Sequence, residues 1–325
     1  VQDTPDAIEE VLMAASAPAQ VAGPGSRAGS GAMIWTALVV VYIVWGSTYL
    51  AIRVVVEAHI PPMLGMAGRF LTAGILLATG LALKSGWRRL RITRREAIGA
   101  ATVGVLLLAF GNGAVAVAEQ TVPSGLAALL VAAIPLWLML LRVGGGERPR
   151  AMTWGGVLIG FGGAALLALS GGNTSAKPLS VAILVAGTIC WATGSRFAPR
   201  LGLPRDPLVT ALYEMLFGGA AMILLGVLRG EPGRLHFGQI DQSGWFGLAY
   251  LVVFGSLLAY TAYSYLLANA PISLIGTYAY VNPAVAVLLG WLILNESLTW
   301  QILLGGAVII VGVALVVTSE RRRGQ

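Results

Sequence analysis

Ten long apolar runs, joined by short links, take up most of this chain after Met33. They lie near 34–57, 64–83, 97–118, 121–142 and 151–170, then near 179–198, 207–228, 244–267, 272–293 and 299–318. Each is close to the roughly 20 residues that a helix needs to cross a bilayer. The helices of a large soluble α-protein would carry polar faces, and these runs have almost none. The links hold the breakers: Pro61-Pro62, Pro149, Gly171-Gly172, Pro204, Pro232-Gly233 and Pro271. Charged residues make up 11% of the chain, less than half of the roughly 25% of an average soluble domain. The fold class expected is therefore an all-α membrane protein with ten transmembrane helices.

The formal net charge of +7 does not point to nucleic acid, because the positive residues sit in short links between the runs. With the N-terminus in the cytoplasm, 16 Lys and Arg fall inside, from Arg27 through the Lys84–Arg95 cluster to Arg321–Arg323. Only three, Lys177, Arg229 and Arg234, fall outside; Arg53 and Arg69 stand at the outer ends of their helices. The positive-inside rule therefore predicts cytoplasmic termini and a cytoplasmic-membrane location. Cys190 is the single cysteine, which excludes an intramolecular disulfide. His59 and His236 lie in links with no metal-ligand cluster around them, and no cofactor is implied.

A polar stripe runs along the first apolar helix. Tyr42, Trp45, Tyr49 and Arg53 share one face at helical spacing. Thr188, Trp191 and Ser195 follow Tyr42, Trp45 and Tyr49 by 146 residues, and Pro207 follows Pro61 by the same interval. Pro123 with Pro271 and Pro135 with Pro283 repeat at 148; Gly156 with Gly306 and Gly162 with Gly312 repeat at 150. A near-constant offset means an internal duplication. Five spans per half is an odd number, so the second half inserts upside down relative to the first. Such inverted repeats place a substrate site near the bilayer midplane, at the interface between halves. The expected division is a disordered extension over 1–32, repeats over 33–172 and 173–319, and a basic tail over 320–325. A chain that truly starts near Met33 is the alternative for the extension.

These residues resemble the EamA-domain branch of the drug/metabolite transporter superfamily. The resemblance rests on Trp45-Gly-Ser-Thr-Tyr49, Pro61-Pro62 followed by Gly68-Arg69-Phe70, Glu119-Gln120-Thr-Val-Pro123, Tyr278-Ala-Tyr280-Val-Asn282-Pro283 and Asn295-Glu296. It implies export or exchange of small metabolites, amino acids or drugs through a cavity lined by helices 1–4 and 6–9. The fifth and tenth helices would be peripheral. Glu296 has no clean counterpart in the first half, where Glu147 stands in a Gly-rich link.

The candidate substrate-binding residues are Tyr42, Trp45, Tyr49 and Asn112 in the first half. Those of the second are Thr188, Trp191, Ser195, Tyr260, Tyr263, Thr277 and Tyr280. Polar stripes on membrane helices face the bundle rather than lipid. Against cavity lining stands plain helix-to-helix packing. Pro135 and Pro283, mid-helix in matching positions, are candidate hinges or tolerated kinks. Trp35, Trp87, Trp154, Trp245 and Trp300 fall near helix ends, as an interfacial belt does, while Trp137 and Trp291 are expected to pack. The Gly156–Gly160 motif suits a contact between helices 5 and 10, or a homodimer. Arg53 and Glu57 are spaced to pair. Glu214 is the acid expected well inside a span; it is either a proton-coupling site or the partner of Arg196.

The sequence thus reads as a secondary transporter, an exporter of small organic metabolites such as amino acids, whose partners are that solute and the lipid bilayer. It has no Walker-type nucleotide loop. A polyanionic substrate would need several basic groups at the midplane, which are not expected there. The alternatives are a multidrug exporter of lipophilic cations drawn by Glu214 and the aromatics, and a membrane-embedded enzyme acting on a lipid-linked substrate through Arg53, Glu57, His59 and Arg69.

Overall fold

The computed structural model describes residues 31–146, 148, 151–169, 177–259, 262, 263, 265, 266, 270 and 278–321. The first repeat supplies α1 (Gly31–Glu57), α2 (Pro62–Ser85), α3 (Arg94–Ala118), α4 (Ser124–Gly144) and α5 (Ala151–Leu169). The second supplies α6 (Pro178–Phe197), α7 (Pro207–Leu228), α8 (Gln242–Leu258), α9 (Tyr278–Leu294) and α10 (Trp300–Arg321). On the described residues, α1–α4, α6 and α7 are each long and apolar enough to span, and the other four present shorter apolar helices. The chain is an all-α membrane protein of ten transmembrane helices in two inverted five-helix repeats.

Local chemistry starts the helices where the links end. Prolines open α2, α6 and α7 in the first turn, where a missing N–H costs nothing. Asp206 caps α7, accepting from Leu208 N at 3.0 Å, and is itself gripped by Arg89 at 2.7 Å. Two other helices borrow a carboxylate from the opposite half. Glu231 accepts from Leu64 N at 3.0 Å at the start of α2, and Glu296 accepts from Ser124 N and Gly125 N at 2.7 and 3.1 Å at the start of α4. Each satisfies orphan N–H groups and sits favourably against the helix dipole. Glu296 thus has a definite role, as the cap of α4.

The packing repeats under exchange of the halves. α1 lies on α9 as α6 lies on α4; α3 lies on α6 as α8 lies on α1; α3 lies on α7 as α8 lies on α2. The pairs α2–α7, α4–α9 and α5–α10 map onto themselves. α3 widens to π-helical turns over Val105–Asn112, and α8 does so over Leu251–Leu258, an interval of 146 residues. The duplication read from aromatic and proline spacing is thus present in the backbone too.

α5 and α10 interlock through glycines. A Cβ on Gly156 would lie 2.7 Å from the Gly312 carbonyl oxygen, and one on Gly163 would lie 2.8 Å from Ile309 N. The Gly156–Gly160 motif therefore serves the helix 5–helix 10 contact, and this seam is used within the chain.

Several expectations are corrected. Arg69 is not at a helix end: it stands two turns into α2 and is 3% exposed, because the helix already starts at Pro62. The kink expected at Pro135 is present: α4 breaks at Ala132-Ala133 in mid-span, and Pro135 sits in the first turn of the segment Ile134–Gly144. Trp137 packs edge-on to Phe161 with ring centroids 4.5 Å apart, as expected, whereas Trp291 is 48% exposed on the lipid side of α9. The belt tryptophans Trp35, Trp87, Trp154, Trp245 and Trp300 are all exposed. The first helix is described from Gly31 onward. The rest of the extension assigned to 1–32, Glu147, Gly171-Gly172, Pro271 and Arg322–Arg323 lie outside the described residues.

Candidate functional site

A cavity of about 190 Å³ lies between the two halves, walled by α1, α2, α3, α4, α6 and α9 with Gly255 of α8. Glycines bring these helices close enough to enclose it. A Cβ on Gly46 would stand 2.7 Å from Val285 Cβ, so α1 reaches α9 only with glycine there. A Cβ on Gly187 would stand 2.5 Å from Ala114 Cβ, which sets α6 on α3.

The wall is built from a few polar and aromatic groups in an apolar surround. Trp45 is fixed by Tyr263 and Tyr278, with ring centroids 5.1 and 5.5 Å away. Trp191 lies directly on Gly111, where a Cβ would be 2.8 Å from its ring. The Thr48 and Thr188 hydroxyls each donate to a backbone carbonyl one turn back, at 2.6 Å. Behind the wall, Ser47 and Tyr250 share a hydrogen bond of 2.6 Å that ties α1 to α8. Asn112 lines the cavity with a buried Oδ1 that no described residue hydrogen-bonds. Arg69 brings a guanidinium into the wall; its Nε donates to Ser256 Oγ at 3.1 Å, and the group lies 4.6 Å from the Phe70 ring centroid. Asn282, with its amide nitrogen toward the chain, reaches the carbonyls of Tyr278 and Tyr42 at 3.2 and 3.3 Å.

Seven of the residues singled out in the sequence therefore meet at one cavity: Trp45, Tyr49, Asn112, Pro135, Thr188, Trp191 and Pro283. Tyr42 and Tyr263 do not line it; they pack with Trp45 and Tyr278 in a separate cluster around α1. Ser195 and Glu214 are also outside the wall. The expected Glu214–Arg196 bridge is absent, and Glu214 makes no ion pair among the described residues. Instead the backbone of Glu214 abuts Gly104, where a Cβ would meet its carbonyl oxygen at 2.5 Å. Tyr260, Thr277 and the side chain of Tyr280 lie outside the described residues.

Sequence reasoning missed Thr48, Arg69, Phe70, Tyr278 and Asn282 as wall residues. Arg69 carried the strongest overlooked signal, since an ionisable residue within a span is a site by default. It gives the wall one basic group, short of the several that a polyanion would need. No described residue of α5 or α10 lines the cavity, in keeping with a peripheral pair.

The sequence model of one family, described as the EamA-like transporter family, matches this chain twice, over residues 32–169 and 178–318. The chain is 41% identical over 284 residues to a protein of Escherichia coli K12 described as an uncharacterized inner membrane transporter, YedA; the match covers 87% of this chain and 90% of that one. It is 30% identical over 296 residues to a "probable terminal-alkyne amino-acid exporter" of Streptantibioticus cattleyicolor, covering 87% and 92% of the two chains. A solved crystal structure superposes with a TM-score of 0.59 at 21% identity, over 90% of this chain and 98% of the other, and speaks for the fold alone.

Proposed function

The chain belongs to the EamA-like transporter family, and from that premise we propose that it exports small zwitterionic or amphipathic metabolites such as amino acids across the cytoplasmic membrane. It is a multi-pass membrane transporter and not an enzyme, so the lipid-processing reading is set aside. The observation that carries the substrate class is the wall chemistry: one buried guanidinium, Arg69, in a cavity otherwise faced by Trp45, Trp191, hydroxyls and Asn112. A carboxylate suits a guanidinium in a dry site, and the aromatic faces suit an ammonium or an apolar side chain. The amino-acid export named for the relative from Streptantibioticus points the same way. A lipophilic cation would meet the charge of Arg69 on entering, which counts against the multidrug alternative. A polyanion would find a single guanidinium where it needs several.

Transport proceeds by alternating access. The two halves meet through symmetric pairs, so rocking one against the other opens either side around the same cavity. At the end of the cavity near Glu57, Arg53 ties α1 to the α3–α4 link through the carbonyls of Glu119 and Val122. Opening that end requires these bonds to break. Both termini are cytoplasmic in this reading, which makes the Arg53 end external.

Counterflow into liposomes with labelled amino acids, against cationic dyes as a separate panel, tests the substrate class. Amino-acid exchange is the expected result; dye exchange alone would favour the cation reading. Reporter fusions after Arg95 and Arg200 should read cytoplasmic, and those after Gly172 and Gly233 external. An external reading at Arg95 would reverse the orientation.

A further inference from the structure

Beyond the cavity wall, at the end of α3, lies a carboxyl group with no partner. Glu119 is 0% exposed, and neither of its carboxyl oxygens has a hydrogen-bond partner among the described residues. It stands one turn past Val115 and two turns past Asn112, both wall residues, on the same helix face. Four titratable groups face it: Arg53, Glu57 and Tyr49 from α1, and Glu296 from the α9–α10 link. Each charged neighbour is engaged elsewhere. Arg53 donates from Nε to Glu57 at 2.5 Å and from Nη1 to backbone carbonyls, including that of Glu119 itself, and no hydrogen bond among the described residues reaches the Glu119 carboxyl. Glu296 takes the N–H groups of Ser124 and Gly125. Glu57 and Glu296 thus already have donors, while the Glu119 carboxyl has none among the described residues. An ionised carboxylate left without a donor in a dry site is strongly disfavoured, whereas a protonated one is not.

We propose that Glu119 is the proton-binding site through which this transporter couples solute movement to a proton gradient. The assignment rests on the transporter reading above. The Arg53 ties to the Glu119 and Val122 carbonyls hold the carboxyl shut away from water. When α1 parts from the α3–α4 link, water reaches Glu119, and the carboxylate takes a proton from hydronium and leaves a water molecule. When that end closes and the other opens, the proton leaves through the cavity past Tyr49, and the carboxylate is restored. Glu214, the acid that the sequence singles out, lies outside the wall and has no such connection to it.

The test uses the full chain in liposomes and a labelled mixture of the protein amino acids as probe. Wild type should show counterflow, and accumulation should rise several-fold when an inward proton gradient is imposed on the side of export. Glu119→Gln should keep counterflow and lose the response to the gradient. A pH response retained by Glu119→Gln, or a wild type that exchanges solute but ignores the gradient, overturns the proposal. Failure of counterflow in wild type would instead sink the amino-acid reading. A second measurement depends on neither transport nor the folding of a variant. A hydrophobic carbodiimide reacts with protonated buried carboxyls, and peptide mapping by mass spectrometry should place the adduct on Glu119 of the wild type, with yield falling as pH rises. An adduct on Glu214 alone, or none on Glu119 at any pH, overturns it.

Discussion

Aligned at an offset of 146 residues, the two repeats have the same widened turns, Val105–Asn112 and Leu251–Leu258, but different side chains on them. Asn112 closes the first segment and faces the cavity; Leu258 closes the second and is exposed on the outer surface. Arg69 puts a guanidinium in the wall, while Met215 at the matching place is buried against α2, 3.4 Å from where a Cβ on Gly74 would stand. Tyr49 lines the cavity and Ser195 does not. Trp45 with Trp191, and Pro135 with Pro283, are matched pairs that line the cavity from both halves. The shared backbone explains where the cavity lies, since symmetric helix pairs leave their gap at the pseudo-axis. The unshared side chains explain what it can hold. A symmetric wall would offer two like sites, whereas this one has a single guanidinium, Arg69, beside several aromatics, which fits the proposed solute with unlike ends.

The sharpest way to break that comparison is to make Arg69 into its counterpart. Arg69→Met removes a buried hydrogen-bonded charge and should cut the initial counterflow rate by about 100-fold or more. Met215→Leu, at the matching place, should stay within about twofold of wild type. Equal losses at the two positions would mean that α2 and α7 contribute only packing. Size-exclusion profiles separate lost transport from lost protein.

Next in size are the tryptophans. Trp45→Ala and Trp191→Ala should each lower counterflow by about tenfold while the protein still inserts. Their stabilities should differ: Trp45 also packs tilted against Tyr263 and edge-on to Tyr278, each such pair adding about 0.5–1.5 kcal/mol, so Trp45→Ala should melt earlier. If both variants transport normally, these rings meet other helices and not the solute.

The smallest effect is expected at Asn112. Its unsatisfied Oδ1 offers a bound solute one hydrogen bond, so Asn112→Leu should raise the solute concentration for half-maximal counterflow by about three- to tenfold. Leu258→Ala, on the lipid side, should leave that concentration unchanged. A matching shift at Leu258 would show that the two widened segments act alike.

Much of this architecture was legible in advance, and part of the site was too. The Trp45 stripe, its echo at Thr188 and Trp191, and the paired prolines led to the cavity because a repeat marks positions that the fold uses twice. Tyr42 and Ser195, on the same stripes, stand off the wall, because a helix face is wide enough to touch both a cavity and a neighbouring helix. Arg69 reads from the sequence as a helix-end residue because nearness to a helix end suggests nearness to water, and the packed helices keep it dry.

Hydropathy alone determines the helices here. In hydrocarbon, a backbone must satisfy its own hydrogen bonds, so about 20 apolar residues leave few choices. The offset of 146, with five spans in each half, then determines the inverted repeat by counting. Burial of particular side chains is a different matter. Most faces of these helices are apolar, so apart from the short polar stripes little announces which face meets lipid and which meets the bundle. That was decided by close approach of backbones at Gly46, Gly111, Gly187 and Gly312, which sets how each helix is rotated. Only the packed structure brings Arg69 into the wall, leaves Glu214 outside it, and seals Glu119 beneath the Arg53 ties.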